Sequence, residues 1–314
     1  MKLKSYQLLV LILVGSVLVT AVLGGGAKLA VDAVVTRSAW AAQHLHYDSA
    51  KGTYDFGRPF RHMAMGIALV ALIVFARRLE IVSLARVGLQ LRGGWLRHVS
   101  AGILIGVLSL TLVIMLAFLC GARTIHPRFH LSRALGALPL LAVQAGIIGL
   151  WEETFFRGFI LQSFLKDMRA VIAILVTSFL FASLHFIDTP VFLPVGFDVL
   201  AGFRALAMLK GLVAHPIAML PELFGLALIG IVLSCAYVWT KSLYLPIGLH
   251  AGWVFAWKLT DLCLKRNHAV ARWFFGGGIP VTGLLGILCL LAVLLLLYVV
   301  WGRSIRNSQS AIGN

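Results

Sequence analysis

Apolar stretches of roughly 20 residues, the length of a membrane-spanning helix, recur along the whole chain and constrain its fold more than any other feature. Only helices and closed barrels satisfy every backbone hydrogen bond inside a bilayer. The chain is 61% hydrophobic and 12% charged, whereas soluble domains average about 45–50% and about 25%. We therefore predict an all-α, polytopic transmembrane helical bundle. About eight spans are expected, at 7–23, 62–76, 99–121, 135–153, 171–187, 223–239, 243–259 and 281–301.

The segments between these spans define the predicted organisation. Residues 28–61 are polar and are expected to form an extramembrane loop, whereas 188–221 contains four prolines and is expected to be re-entrant or interfacial. We divide the chain into 1–130, with spans one to three and their loops, 131–260, the core that carries the ionisable residues, and 261–314, with a loop, the last span and a polar tail. The apolar run after the basic N-terminus is longer than the core of a signal peptide, so an uncleaved first span is expected.

Positive charge is distributed unevenly between the predicted loops. The net charge is +16, and the density of Lys and Arg is roughly twofold higher on the side that holds both termini. This pattern predicts a multi-pass protein of the cell (inner) membrane with both termini in the cytoplasm. The lipid bilayer is the expected partner of these cations. Because no basic stretch is interleaved with stacking aromatics, binding of nucleic acid is not expected.

A pair of carboxylates lies at membrane depth. Glu152 and Glu153 directly follow an apolar run, where an ionisable group is costly and therefore a functional candidate. Glu153 and Arg157 are spaced i, i+4 and can pair on one side of a helix. Glu152 points about 100° away from that pair, so it remains available to handle a proton. A helix-end ion pair without catalysis is the alternative interpretation of this feature alone.

Two histidines lie in other predicted spans. His185 ends span five, and His250 lies in span seven, where Pro246 and Gly248 are expected to loosen the helix. Either histidine alone is more often a satisfied core residue. Together with the glutamates, however, they supply a carboxylate base, an imidazole and a donor for an oxyanion, which are the groups that amide hydrolysis requires.

These motifs resemble those of a known family. Glu152-Glu153-Thr-Phe-Phe-Arg157 matches EExxxR, Phe181-Ala-Ser-Leu-His185 matches FxxxH, and His250 lies where a third motif, HxxxN, is expected. The chain is thus similar to the CAAX-protease and bacteriocin-processing (Abi) family of polytopic intramembrane endopeptidases. The resemblance covers about a third of the chain and leaves residues 1–130 outside it.

The resemblance implies a glutamate-dependent mechanism without a cofactor. Glu152, helped by His185, would activate a water molecule for attack on a membrane-associated protein, prepeptide or lipidated tail. His250 would stabilise the oxyanion, and Glu153 with Arg157 would hold the site in shape. Zn²⁺ bound by Glu152, His185 and His250 is the mechanistic alternative, since two His and a Glu form a plausible zinc set.

One residue departs from the family pattern. Val254 occupies the position of the family Asn, which would supply a second oxyanion donor. We expect the indole N–H of Trp253 or Trp257 to replace it. Two functions of other classes remain as alternatives: a non-catalytic immunity or sensor protein on the same scaffold, and a proton-coupled transporter, although the paired repeats of many transporters are not evident.

Overall fold

The computed structural model of the protein describes residues 4–302, apart from 80, 82, 92, 186–189, 211–215, 268–269 and 278–279. Most described residues are helical, which confirms the predicted all-α class. The α-helices are α1 (Ser5–Val35), α2 (Ala39–His44), α3 (Gly57–Val74), α4 (Leu84–Val87), α5 (Trp95–Leu119), α6 (Leu131–Glu153), α7 (Gln162–Asp167), α8 (Ala170–His185), α9 (Ala201–Ala205), α10 (Pro216–Thr240), α11 (Tyr244–Cys263), α12 (Arg272–Phe275) and α13 (Leu284–Leu297).

Shorter elements connect or extend these helices. Two π-helical segments, Thr154–Leu161 and Tyr298–Gly302, continue α6 and α13, and 3₁₀ turns cover Leu206–Lys210 and Pro280–Thr282. Four short strands, β1 (Thr53–Asp55), β2 (Arg123–Ile125), β3 (Phe192–Pro194) and β4 (Leu264–Arg266), form two antiparallel pairs, β1 with β3 and β2 with β4. The end of predicted span five at 186–187 and the polar tail from residue 303 lie outside the described residues.

Six helical stretches of the described chain are long and apolar enough to cross a membrane. They are Ser5–Val35, Gly57–Val74, Trp95–Leu119, Leu131–Asp167, Leu220–Thr240 and Leu284–Gly302. Predicted spans five and seven form α8, which is shorter, and α11, which is not among the six. Large apolar side chains such as Leu104, Ile147 and Leu295 remain exposed along these helices, as lipid-facing residues do. The protein is a multi-pass membrane protein, and the number of eight spans stays a prediction.

Contacts between residues group the chain into two compact units. The first unit comprises residues 1–81 and 183–218. In it, α1 packs against α3 and α9, and Gly24 approaches Gly202 so closely that a Cβ on either glycine would overlap the opposite backbone. A core that includes Tyr54, Phe56 and Phe60 fills the space beside these helices.

A buried charge network corrects the prediction that a loop begins at residue 28. Helix α1 continues to Val35, because the Lys28 ammonium pairs one turn later with Asp32, with both N–O distances at 2.9 Å. The Asp32 carboxylate also accepts from the Tyr54 hydroxyl at 2.7 Å, and Lys28 donates to the Gly196 carbonyl at 2.8 Å. Each charge is therefore compensated in part by groups from other segments of the chain. The polarity of the local sequence does not indicate these distant partners.

The second unit comprises residues 82–182 and 219–314 and carries the carboxylate pair. Its central helix is α11, which packs along α5 on one side and α6 on another. The core beside α11 is built from buried aliphatic residues and Trp253.

Glycines set the distance between α5 and α11. A Cβ on Gly102 would lie 2.5 Å from the Leu245 carbonyl oxygen, one on Gly252 would lie 2.7 Å from the Ile103 carbonyl oxygen, and one on Gly248 would overlap the Val99 carbonyl oxygen. The expectation that Pro246 and Gly248 loosen this helix is wrong. Helix α11 runs without interruption from Tyr244 to Cys263. Pro246 lies in its first turn, where proline is tolerated, and Gly248 serves close packing.

We expect Gly248→Ala to destabilise the second unit, because the added methyl group meets backbone that can yield only if α5 and α11 separate. Overpacking of this kind costs about 1–3 kcal/mol, so the variant should unfold at a lower temperature in detergent. Gly146→Ala in α6 is the matched control, since no atom lies within 4 Å of its added Cβ. Equal melting temperatures for the two variants would contradict the close-packing role of Gly248.

Candidate active site

Three elements of the second unit bring ionisable side chains together. Helix α6 ends with Glu152 and Glu153, the π-helical segment that follows carries Arg157, and α11 carries His250. The wider turns of a π-helix are rare and occur frequently at functional sites. Here they begin directly after the carboxylate pair.

Glu153 is the centre of the cluster and is fully buried. Its Oε1 accepts from the Arg157 Nη1 at 2.7 Å and from the His250 Nδ1 at 2.8 Å. Because a carboxylate facing a guanidinium only accepts hydrogen bonds, Nδ1 must carry the proton of the imidazole. The predicted pairing of Glu153 with Arg157 is therefore present, and His250 is a second partner that the sequence did not indicate.

The Arg157 guanidinium is enclosed by groups that suit a buried cation. Its Nη2 donates to the Gly230 carbonyl at 3.1 Å, so α10 also holds it in place. Its central carbon lies 4.9 Å from the Phe181 ring centroid and 5.8 Å from that of Phe156. Aromatic faces attract a desolvated cation through their quadrupole. Arg157 is thus fixed by Glu153, by a backbone carbonyl and by two aromatic rings.

Glu152 is in a different environment from its neighbour. Its side chain keeps about a fifth of its surface exposed (21%), whereas that of Glu153 has none. The Glu152 Oε2 lies 3.9 Å from the His250 Nε2, which is beyond hydrogen-bonding distance. One imidazole thus faces both carboxylates, bound to Glu153 through Nδ1 and open toward Glu152 through Nε2.

Several buried polar atoms around this cluster have no hydrogen-bond partner among the described residues. They are Glu152 Oε2, Glu153 Oε2, Thr154 Oγ1, Arg157 Nε, Thr177 Oγ1, Ser178 Oγ and Ser234 Oγ. Ser178 and Ser234 belong to this environment, because Ser178 abuts Gly230 and Ser234 lies one turn after Gly230 on α10. Buried polar atoms without protein partners are the positions where proteins bind ordered water.

His185 is not part of the contacts described above. It is the last residue of α8, it is exposed, and it belongs to the first unit. Phe181, which opens the same motif on α8, does contact the cluster: besides stacking on Arg157, its ring lies edge-on to that of His250, with centroids 6.1 Å apart. The role of His185 beside Glu152 stays a prediction.

The structure distinguishes the two tryptophans that were expected to replace the family Asn. The Trp253 Nε1 donates to the Ser109 hydroxyl at 3.0 Å, so its N–H is already engaged. The Trp257 Nε1 is buried and has no acceptor among the described residues. Val254 packs against Ala145 and Ala251 and fills space between α11 and α6.

The zinc alternative requires at least three ligands in one place. Within the described part of the chain, no group of three or more His, Cys, Asp and Glu side chains is arranged to hold a metal ion. Glu153 is occupied by Arg157 and His250. Zinc bound by Glu152, His185 and His250 stays an alternative prediction, and the chemistry proposed below uses no metal.

Sequence reasoning missed the contributions of Gly230 and Phe181, which surround Arg157. Gly230 acts through its backbone carbonyl group, and the residue type does not indicate which carbonyl groups accept such a bond. The sequence indicated Phe181 only as the first residue of the FxxxH motif. Its i, i+4 spacing from His185 on an apolar helix was the signal that could have identified it as a site residue.

A family model matches the central part of the chain. Residues 134–256 match the family model described as type II CAAX prenyl endopeptidase Rce1-like, a range that includes all five predicted site residues. This match confirms the predicted resemblance and supports an intramembrane protease of the CAAX type. No curated protein and no solved structure matches the chain significantly.

The buried ion pair predicts a specific pattern of stabilities. Arg157→Met leaves the Glu153 carboxylate buried without its cation, a change that costs about 3–5 kcal/mol. Glu153→Gln combined with Arg157→Met should be less destabilised than Arg157→Met alone, because the uncompensated charge is gone. Thermal unfolding of the purified variants in detergent measures the stability of each.

Arg204→Met is the matched control for this cycle. The Arg204 guanidinium pairs with Asp198 at 3.2 Å, and its side chain is 57% exposed. Its loss should therefore cost no more than about 1 kcal/mol. Additive effects of the Glu153 and Arg157 substitutions would contradict the coupling.

Proposed function

We propose that the protein is an intramembrane endopeptidase of the glutamate type, in which Glu152 activates the water that cleaves the peptide bond. The observation that carries this proposal is the division between two adjacent carboxylates. Glu153 is committed to Arg157 and His250, whereas Glu152 is partly exposed and its Oε2 has no hydrogen bond to any described residue. A general base needs a carboxylate that can still accept a proton from a mobile water.

The reaction proceeds in two steps with these groups. A water molecule gives a proton to Glu152 as its oxygen forms a bond to the scissile carbonyl carbon, and the carbonyl electron pair moves onto oxygen. The oxyanion then collapses, the C–N bond breaks, and the departing amine takes the proton back from Glu152. The carboxylate is thereby regenerated, and no other reactant is consumed. His185 is proposed to share or relay this proton, as the sequence resemblance implies.

The charge arrangement supports the proposed role of His250 in binding the oxyanion. Its Nδ1–H is held by Glu153, so it can donate through Nε2 only as an imidazolium. Two carboxylates, one guanidinium and one imidazolium sum to zero net charge, which suits a site within a membrane. Glu153 and Arg157 act as positioning residues, because they fix the ring that faces the substrate.

Trp257 is the proposed second oxyanion donor in place of the family Asn. It follows His250 by seven residues, so it lies on the same side of α11 two turns later. Its N–H is buried without an acceptor among the described residues, which costs stability unless a ligand accepts the bond. A substrate oxyanion is an acceptor of that kind.

The substrate is proposed to be a membrane-associated protein or prepeptide. The description of the matching family, a prenyl endopeptidase, makes a lipidated C-terminal tail the first candidate to assay. We also propose that the protein lies in the cell (inner) membrane with both termini in the cytoplasm, which the distribution of Lys and Arg supports.

Replacing Glu152 tests the proposal directly. Glu152→Gln keeps the size of the side chain but removes the base, so cleavage of a lipidated peptide should fall by a factor of about 10²–10⁴. Expression and melting temperature should stay close to those of the wild type. Asp48→Asn makes the same carboxylate-to-amide change at an exposed loop and should cleave normally. Cleavage by Glu152→Gln at the wild-type rate would contradict the glutamate mechanism. Cleavage by the wild type should be insensitive to chelators.

The two tryptophans provide an internal comparison for the oxyanion donor. Trp257→Phe removes the unpaired N–H and should lower the cleavage rate by a factor of up to about 10²–10³, the cost of losing one oxyanion donor. Trp253→Phe removes an N–H that is bound to Ser109, so it should affect stability more than the chemical step. Single-turnover rates for both variants decide between them. A larger loss of rate for Trp253→Phe than for Trp257→Phe would contradict the proposal that Trp257 is the oxyanion donor.

A further inference from the structure

A polar cavity lies in the second unit, and none of the residues of the carboxylate cluster is among its described lining. It has a volume of about 210 Å³ and lies at the β2–β4 strand pair. Its described lining includes three arginines, Arg123, Arg266 and Arg272, together with Asn267, and none of its described lining residues is acidic. Such a concentration of guanidinium groups around one cavity favours the binding of an anion.

Arg123 is the least expected of the three, because it is buried. Only 6% of its surface is exposed, yet the described residues give its side chain neither a hydrogen bond nor an ion pair. Burial lowers the pKa of the Arg123 guanidinium, and the nearby Asp261 carboxylate opposes that shift. A guanidinium carries five N–H donors, which suit the oxygens of an anion.

The strand pairing places a second positive charge opposite Arg123. Arg123 lies directly opposite Arg266 in the antiparallel register of β2 and β4. Directly opposed residues point to the same face of a strand pair, and like charges in that position repel. Arg272 reaches the cavity from α12 and pairs with Glu222 at 3.3 Å, which offsets its own charge.

The position of the cavity indicates what supplies the negative charge. Arg123 follows the end of α5 by four residues, and α5 is long and apolar enough to span a bilayer. Cations at this level lie beside lipid head groups. Arginine forks bind phosphate oxygens in a bidentate manner, which makes phosphate the oxyanion that this set of groups fits best.

We propose that the cavity at the β2–β4 pair binds a phosphate group, donated to by Arg123, Arg266 and Arg272, either in the head group of an anionic phospholipid or as a free phosphate. The bound anion bridges the opposed arginines and fastens β2 to β4, and thereby the end of α5 to the end of α11. The site is independent of the proposed hydrolysis, because it requires no residue of the carboxylate cluster.

Binding to full-length purified protein in a neutral detergent tests this inference. The probes are sodium phosphate, phosphatidylglycerol in mixed micelles, phosphatidylcholine in the same micelles, and sodium chloride at matched ionic strength. The readouts are the melting temperature from tryptophan fluorescence and the lipid adducts counted by native mass spectrometry. Phosphate or phosphatidylglycerol should raise the melting temperature of the wild type, and chloride should not.

The variants separate a specific site from general attraction of anions. Arg123→Gln should weaken binding by about tenfold or more, because charge-assisted hydrogen bonds to the phosphate are lost. Lys265→Gln is the matched control: it removes one positive charge from the same strand pair, but Lys265 is exposed and does not line the cavity. If Arg123→Gln does not fold, Arg272→Gln keeps the test valid, since its side chain is 67% exposed.

Each outcome decides the question. A rise in the melting temperature with free phosphate, or with phosphatidylglycerol alone, supports the site and identifies the source of the phosphate group, provided that Lys265→Gln behaves as the wild type does. An equal shift with chloride, no shift with any probe, or equal losses in Arg123→Gln and Lys265→Gln would overturn the inference. Peptide cleavage is not part of the readout, so failure here and failure of the proposed hydrolysis remain distinguishable.

Discussion

The cluster of Glu153, Arg157 and His250 is the interaction on which the candidate site depends. A buried guanidinium and a buried carboxylate are each expensive to desolvate, and only a close, well-oriented pair offsets that cost. Once Glu153 is fixed by Arg157, it orients His250 through the proton on Nδ1. The helix that carries His250 is thereby tied to the helix that carries the carboxylates, so structural support and chemical positioning come from the same hydrogen bonds.

Close packing around α11 complements these hydrogen bonds. Gly102, Gly248 and Gly252 let the backbones of α5 and α11 approach, which is how helices associate where the surrounding lipid is as apolar as the side chains. The side of α11 that faces α6 then presents His250 and Val254 to the end of the carboxylate helix. Buried polar atoms there have no partner within the described part of the chain, so water has binding positions in an otherwise apolar bundle.

Charge is used differently in three places of this basic chain. Lys28 and Asp32 neutralise each other within α1 and receive support from Tyr54 and a backbone carbonyl. The Glu153–Arg157 pair is likewise balanced. At the β2–β4 pair, by contrast, Arg123 and Arg266 oppose each other, and the described residues supply no ion pair for Arg123. That imbalance is the physical reason for inferring a bound anion there.

The sequence by itself determined the helical membrane class and the Glu153–Arg157 pair, because span length, hydropathy and i, i+4 spacing are local properties. It also marked Glu152 as the free carboxylate. Only the tertiary structure decided that His250 binds Glu153, that Trp253 is engaged while the Trp257 N–H has no acceptor among the described residues, and that Lys28 is a buried residue within α1. His250, Trp253 and Lys28 each have a partner far along the chain, such as Ser109 for Trp253. Local spacing cannot reveal such a partner, since packing between helices chooses it.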